Sequence, residues 1–587
     1  MANYLEDKTF RISNKKVILD IRGRLCETPE ELLRSKLFEA VINKAIEELM
    51  RKSSPLLSIF DGNPINYKSI GNLTETLVYL CKVPIQLLHG KVPESQAFVQ
   101  SPENLNDFVE YLYNFWRTYD RFIILNSEGD MLDKRPYRSF NESIENLTHL
   151  VRKTYREIQK NISGSNPRVY RQVAAGAEVA AIALPLNIPL PAGEYSKLKD
   201  VPVIRQILLN PPLILNPPRN KRGGKFDKIA RNPLEIIHLN KDEFICYPAK
   251  VGPLIILIYF HHNFLDLGMA CCNLFEIADD EDLTRTPDAA FVYGCNEDLT
   301  SLSKYNTVFF EDQVNKFFMG ACPNTDEYGY FGYLKKMVLT LHNAYMIRAG
   351  KMPFHGALVT VSLKDIRKTI LFIGDTGAGK SESLEAFRII GKEELKDMTI
   401  IADDMGSLEI NEDGDILGYG TEIGAFLRLD DLQDGYALGQ IDRAIIMSPS
   451  QVNARIILPV TTLKNLLKGT KVDYIFYANN YELVDEDHPI ISRFENPESA
   501  IRTFEAGAVM SKGTTTSTGI VHSYFANVFG PPSYKEEHDK IAARYFDAFF
   551  KAGVFVGQFR TRLGIQGFER TGPEEAARAL LETIKQK

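Results

Sequence analysis

The sequence predicts an α/β protein: a P-loop catalytic domain on a mixed sheet, preceded by a mostly helical N-terminal region and a β-containing middle domain. Three observations predict it. After Lys351, apolar strand-like runs alternate with helical ones, as α/β folds require. The segment Gly374-Asp375-Thr376-Gly377-Ala378-Gly379-Lys380-Ser381 lies between the apolar run TILFI and the helical run SESLEAFRII, the strand–loop–helix order of a phosphate-binding loop. The first two hundred residues carry long helical patterns with capping residues at their starts. These place domains at 1–234, 235–350 and 351–587.

The elements follow in order. TPEELLRSKLFEAVINKAIEELMRK (28–52) opens with Thr28-Pro29 and has acids in its first turn, so it predicts a helix. SPENLNDFVEYLYNFWRTYDRF (101–122) and NESIENLTHLVRKTYREIQK (141–160) predict two more. Val173–Gly193 is the most apolar stretch, but Glu178, Asn187 and three prolines interrupt it. It reads as a buried helix and an extended loop, with no role at a membrane. Residues 210–233 are rich in proline and carry six Lys/Arg between Arg219 and Arg231 against one acid, Asp227. This is either a solvated basic loop or an anion-binding one, with Gly223-Gly224 allowing close approach.

From about 235 the pattern changes to short runs rich in Ile and Tyr: EIIHL, EFICYP and GPLIILIYFHH read as strands. Beyond Lys351, GALVTVS, TILFIG, MTIIADD, AIIMS, ARIILPV and DYIFYAN are strand candidates, and KSESLEAFRII is a helix.

Composition narrows the function. A chain of 587 residues with 44% hydrophobic content is long enough for several cores. With 69 Lys+Arg against 76 Asp+Glu, the formal charge of −7 gives no reason to expect nucleic acid as a partner. Seven scattered cysteines without a CxxC pair argue against a disulfide framework and a structural zinc site, and fit a cytoplasmic protein.

The P-loop has a specific physical logic. Its glycines let backbone N–H groups curl round phosphate oxygens, and the helix start adds positive potential. Lys380 neutralises β/γ-phosphate charge, and the Ser381 hydroxyl can hold the nucleotide's Mg²⁺. Downstream, Ile400-Ile-Ala-Asp403-Asp404 is an apolar run ending in two acids, 23–24 residues after Lys380. Carboxylates beside a P-loop are suited to a divalent metal or an activating base.

The neighbouring residues carry a resemblance. Tyr330-Phe-Gly-Tyr-Leu-Lys335-Lys336, followed by Met352-Pro-Phe-His355, resembles ATP-type phosphoenolpyruvate carboxykinase, where Y-x-G-E-M-K-K precedes a strand histidine by nineteen residues, the spacing seen here between Lys336 and His355. Asp403-Asp404-Met-Gly is similar to that family's G-D-D-E-H-G. Glu422-Ile-Gly-Ala-Phe-Leu-Arg428 is similar to E-G-G-C-Y-A-K, and Asn453-Ala-Arg455-Ile-Ile-Leu-Pro459 to E-N-T-R-V-x-Y-P. Phe504-Glu-Ala-Gly with Ser511-Lys-Gly-Thr-Thr resembles the family's lid, and Ser523–Pro531 its T-F-S-A-C-F-G-A-P segment. The resemblance spans about 320–587. Residues 355–404 are also similar to HPr kinase/phosphorylase, notably at Gly374-Asp375 and Ser381-Glu382.

The resemblance implies a metal-dependent phosphotransferase that forms phosphoenolpyruvate, CO2 and ADP from oxaloacetate and ATP or another nucleoside triphosphate. It implies Mn²⁺ on Lys336, His355 and Asp404, and Mg²⁺ with the nucleotide at Ser381. Lys335, Lys336, Asp403 and Arg455 would be catalytic, with Arg455 on the transferring phosphoryl group. The substrate would be a small oxo-acid, with Tyr330 and either Arg219 or Arg222 as candidate contacts. The family's T-G-R-S-P-K-D-K motif is missing, Tyr333 stands where Glu is usual, and Arg428 replaces Lys. The alternatives are an HPr-kinase-like enzyme that phosphorylates a hydroxyl, with Asp403 as base, and a nucleotide-sensing scaffold.

Overall fold

Serine and asparagine open the helices of the N-terminal part. Ser35 Oγ accepts from the Phe38 N–H and starts the helix Lys36–Arg51. Asn66 and Ser69 form a reciprocal capping box on Tyr67–Leu80, and Ser101 caps Pro102–Arg117. Such caps satisfy N–H groups that a helix start leaves without partners. A fourth helix, Arg135–Ser163, covers the 141–160 prediction. The computed structural model describes residues 10–13, 15–21, 25–88, 90–92, 95–126, 135–166, 168–221, 226–429, 438–511 and 519–586. The chain divides into two compact units, Met1–Leu184 with Ile204–Leu213, and Pro185–Val203 with Ile214–Lys587.

The first unit is more than helices. Phe10–Ser13 pairs antiparallel with Lys16–Ile21, which runs parallel to Asp120–Leu125, itself parallel to Val179–Leu184. Three sequence expectations change here. The helix predicted over 101–122 ends at Arg117, because the buried run Arg121-Phe-Ile-Ile joins the sheet. Residues 179–184 form a buried strand rather than a helix, since the sheet supplies their backbone partners. The predicted 28–52 helix also breaks at Ser35.

The second unit is a mixed α/β body with two principal sheets. In one, Leu254–His261, Ala289–Cys295 and Phe317–Pro323 are parallel neighbours. Phe244–Val251 and Val308–Asp312 flank them antiparallel. EIIHL is not a strand: Pro233–Glu235 is a short 3₁₀ turn. In the other, Met352–Leu363 is a long central strand that pairs with Ile366–Ile373, Leu395–Ala402 and Met405–Ile410. Ile366–Ile373, Tyr474–Asn479 and Phe555–Arg560 run parallel in that order. Gly424–Arg428 and Ile445–Met447 both pair antiparallel with Arg455–Pro459 in a smaller sheet.

The helix Phe331–Arg348 packs against strands of both sheets and is buried on nearly every side. That explains why apolar residues occur all round it, with Lys335, Thr340, His342 and Asn343 buried among them. The helices Lys380–Ile390 and Thr571–Lys585 cover the parallel strands of the second sheet around Phe372, Phe476 and Phe559. No helix among the described residues is long and apolar enough to cross a membrane. The seven cysteines form no disulfide.

Candidate functional site

Three parallel strands end together. Ile366–Ile373 runs into Gly374, Tyr474–Asn479 into Asn480, and Phe555–Arg560 into Thr561. The carboxyl ends of parallel strands are where open α/β sheets place ligand sites. The loop 374–379 sits there, and the helix begins at Lys380. Asn480 Nδ2 donates to the Gly377 carbonyl at 2.9 Å, and Thr561 Oγ1 to the Ala378 carbonyl at 2.8 Å. Gly379 has φ +90°, and a Cβ there would stand 2.5 Å from Thr561 Oγ1. Only glycine fits that turn. Asn480 and Thr561 are thus loop-shaping residues absent from the sequence reading.

Lys380 Nζ folds back onto the Gly374 and Asp375 carbonyls, at 2.5 and 3.1 Å. Its burial lowers its pKa, against the pull of Asp375, Asp404, Glu382 and Asp403. Ser381 lies exposed in the first turn, and Thr376 is exposed on the loop. Asp375 Oδ1 accepts from the Thr376 N–H, and its Oδ2 accepts from Ser523 Oγ at 3.2 Å.

The long strand carries His355 next to this loop. The Gly374 N–H donates to the His355 carbonyl, and the Gly356 N–H to the Asp404 carbonyl. His355 Nδ1 bonds the Ala526 carbonyl. That partner accepts, so Nδ1 donates. Nε2 stands 3.0 Å from Asp404 Oδ1. An imidazole nitrogen and a carboxylate oxygen at that distance can share a proton or a cation.

On the other side of Asp404 stands Lys335, not Lys336. Lys335 Nζ is 2.6 Å from Asp404 Oδ2 and 3.1 Å from Glu422 Oε1. Burial pulls Lys335 down, but Asp404 and Glu422 outweigh it and raise its pKa, keeping the ammonium charged. Burial pushes Asp404 up, but Lys335 and His355 hold it well below the usual carboxylate range. Asp403 is raised by burial and by Asp404 beside it. Glu422 is pushed up to about 7 by burial, against the Lys335 charge. The structure therefore joins Lys335, His355, Asp403 and Asp404 into one cluster and adds Glu422. Lys336 lies over the rings of Phe529 and Phe226, at 5.1 and 5.9 Å.

Phe426, on the strand Gly424–Arg428, ties the smaller sheet to this cluster. Lys335 Nζ lies 5.8 Å and the Arg455 guanidinium 5.4 Å from its ring centroid. The buried ring of Tyr330 contacts Phe426 as well. Arg455 and Arg428 are direct cross-strand partners. Two like charges side by side destabilise a bare strand pair and suit an anion. Arg455 Nε is buried without a hydrogen-bond partner. Arg219 is exposed; its N–H donates to the Gly329 carbonyl, one residue before Tyr330. Arg222 and most of the 511–519 segment lie outside the described residues.

Imidazole and carboxylate donors suit Mn²⁺ or Mg²⁺, and the Nδ1 bond orients His355 as a ligand is oriented. Among the described residues no group of three His, Cys, Asp or Glu forms a cage. An ion on His355 and Asp404 would complete its shell with water or nucleotide oxygens, as Mg²⁺ usually does. No protein-family model and no curated protein sequence matches this chain.

Proposed function

We propose that this chain is a metal-dependent nucleotide phosphotransferase with a phosphoenolpyruvate carboxykinase-like fold and activity. The observation that carries the reading is the meeting of a P-loop with a His355–Asp404–Lys335–Glu422 cluster through adjacent strands. The loop N–H groups, Lys380 and Ser381 would hold the phosphates of ATP or another nucleoside triphosphate and its Mg²⁺. A Mn²⁺ on His355 and Asp404 would supply Lewis acidity to the oxo-acid.

Oxaloacetate would lose CO2, leaving the electron pair as the enolate of pyruvate. The enolate oxygen would attack the γ-phosphorus as the γ-phosphorus–oxygen bond to ADP breaks. Lys335 would hold the carboxylate network charged and in place. Arg455 and Arg428 would face the transferring phosphoryl group or the substrate carboxylate, where their charge lowers the barrier. Tyr330 and Phe426 would form the apolar wall that excludes water. The test is an assay of the purified chain with ATP, Mg²⁺, Mn²⁺ and oxaloacetate. Phosphoenolpyruvate that depends on all four supports the reading; a protein that binds ATP but forms none sinks it.

One observation favours a second reading. Asp403 is raised by burial and by the Asp404 charge, as a base for a hydroxyl acceptor requires. The chain would then be a kinase that phosphorylates a small-molecule hydroxyl or a protein serine without decarboxylation. Label from γ-phosphate found only in phosphoenolpyruvate would reject it.

A further inference from the structure

The first unit carries a cationic cavity that the proposed reaction does not use. Residues 149–172 contain six Lys/Arg and one acid, Glu157. Helical spacing puts His149, Arg152, Lys153 and Arg156 on one face of the Arg135–Ser163 helix. With Glu157 and Gln172 they line a cavity of about 410 Å³.

The cavity is shaped rather than incidental. Arg156 Nη2 donates to Gln172 Oε1 at 3.1 Å, and its guanidinium lies 4.6 Å over the Tyr170 ring. The facing segment is pinned from behind, because Trp116 Nε1 donates to the Ala175 carbonyl and Arg117 Nε to the Ala174 carbonyl. Stacked rings of Tyr113 and Tyr155, 3.9 Å apart, lie beneath the helix face. Glu110 behind them is engaged by Tyr155 and Gln159. Glu157 stands 3.8 Å from Lys153. Among the described residues neither Arg152 nor Arg156 has a carboxylate partner. Positive groups gathered so closely repel one another, and an anion relieves that repulsion.

We propose that this cavity binds a small phosphate-bearing anion at a site separate from the P-loop. Two guanidiniums offer paired donors to phosphoryl oxygens, Lys153 adds a point charge, and the Tyr170 ring under Arg156 helps hold that guanidinium in place. The volume fits a compact di- or trianion.

The full chain tests this through Trp116, its only tryptophan, which holds the cavity's facing segment. A Lys380→Ala background weakens phosphate binding at the P-loop. Inorganic pyrophosphate is titrated at constant ionic strength, with chloride as the matched salt, following Trp116 emission and the melting temperature. The expected result is a saturable change and a raised melting temperature, with the midpoint shifted about tenfold or more in Arg152→Gln/Arg156→Gln and less in Arg156→Lys. A response equal to that of chloride, or an unchanged midpoint in a folded double variant, overturns the proposal. Tighter binding of a short single-stranded oligonucleotide than of pyrophosphate overturns it as well. If the double variant fails to fold, the Arg156→Lys midpoint and the melting temperature decide.

Discussion

Lys335 Nζ lies 2.6 Å from Asp404 Oδ2, while its chain neighbour Lys336 rests over the Phe529 ring. Adjacent residues on a helix point about 100° apart, so one lysine reaches the carboxylates and the other does not. Removing Lys335 leaves Asp404, Glu422 and Asp403 close together without their counter-charge. Lys335→Met is expected to cost about 3–5 kcal/mol of stability, as loss of one partner of a buried ion pair does. Lys336→Met leaves the Lys335–Asp404–Glu422 pairing in place and should cost less than Lys335→Met. Urea unfolding of both variants checks the order. Mn²⁺ should restore part of the Lys335→Met loss, because it replaces the missing positive charge.

Phe426 lies under both Lys335 and Arg455. Phe426→Leu keeps the volume roughly apolar but removes the ring face that both cations share. If the ring orients these groups, kcat falls about tenfold while KM for ATP changes little, since the P-loop is untouched. Steady-state kinetics with each substrate varied separates the two constants. Equal loss in both would assign the ring a general packing role.

Gly379→Ala probes the loop. The residue has φ +90° and its Cβ would collide with Thr561 Oγ1. The strained backbone costs roughly 1–3 kcal/mol. ATP affinity by calorimetry should fall steeply. Adding Thr561→Ala relieves the collision but not the φ, so stability returns in part and ATP affinity does not.

The P-loop and its helix were legible because they are local: KSESLEAFRII is the helix Lys380–Ile390 residue for residue. The α/β class was legible too, from apolar runs that became Met352–Leu363, Ile366–Ile373 and Tyr474–Asn479. Three things were not. Asp120–Leu125 reads as the tail of a helix until the parallel neighbours Lys16–Ile21 and Val179–Leu184 are known. Asn480 and Thr561 acquire a role only because two distant strands end beside the first. Glu422 opens a segment the resemblance picks out, but its burial and its partner are not in the pattern: it is 4% exposed, and only the packing of the Phe331–Arg348 helix gives it Lys335.

His342 links the same helix to acid stability. It is fully buried, with Nδ1 on Asn343 Oδ1 and Nε2 without a hydrogen-bond partner. Burial lowers its pKa to about 4; Asn343 opposes the shift and the charge on Lys351 adds to it. The unfolded chain titrates this group near 6.5. Above that pH both states are neutral and His342 adds no pH dependence. As pH falls from about 6.5 to 4 the unfolded state takes up a proton that the folded state refuses, so stability drops by up to roughly 3 kcal/mol, and below 4 the loss levels off. His538, also lowered to about 4 by burial, adds a second loss in the same window. His342→Gln removes one of the two, whatever its effect on absolute stability. Unfolding free energies measured from pH 7 to 4.5 should therefore fall less steeply for the variant than for the parent chain. Parallel curves would mean that His342 is protonated in the folded protein and that the charge finds a partner near Asn343.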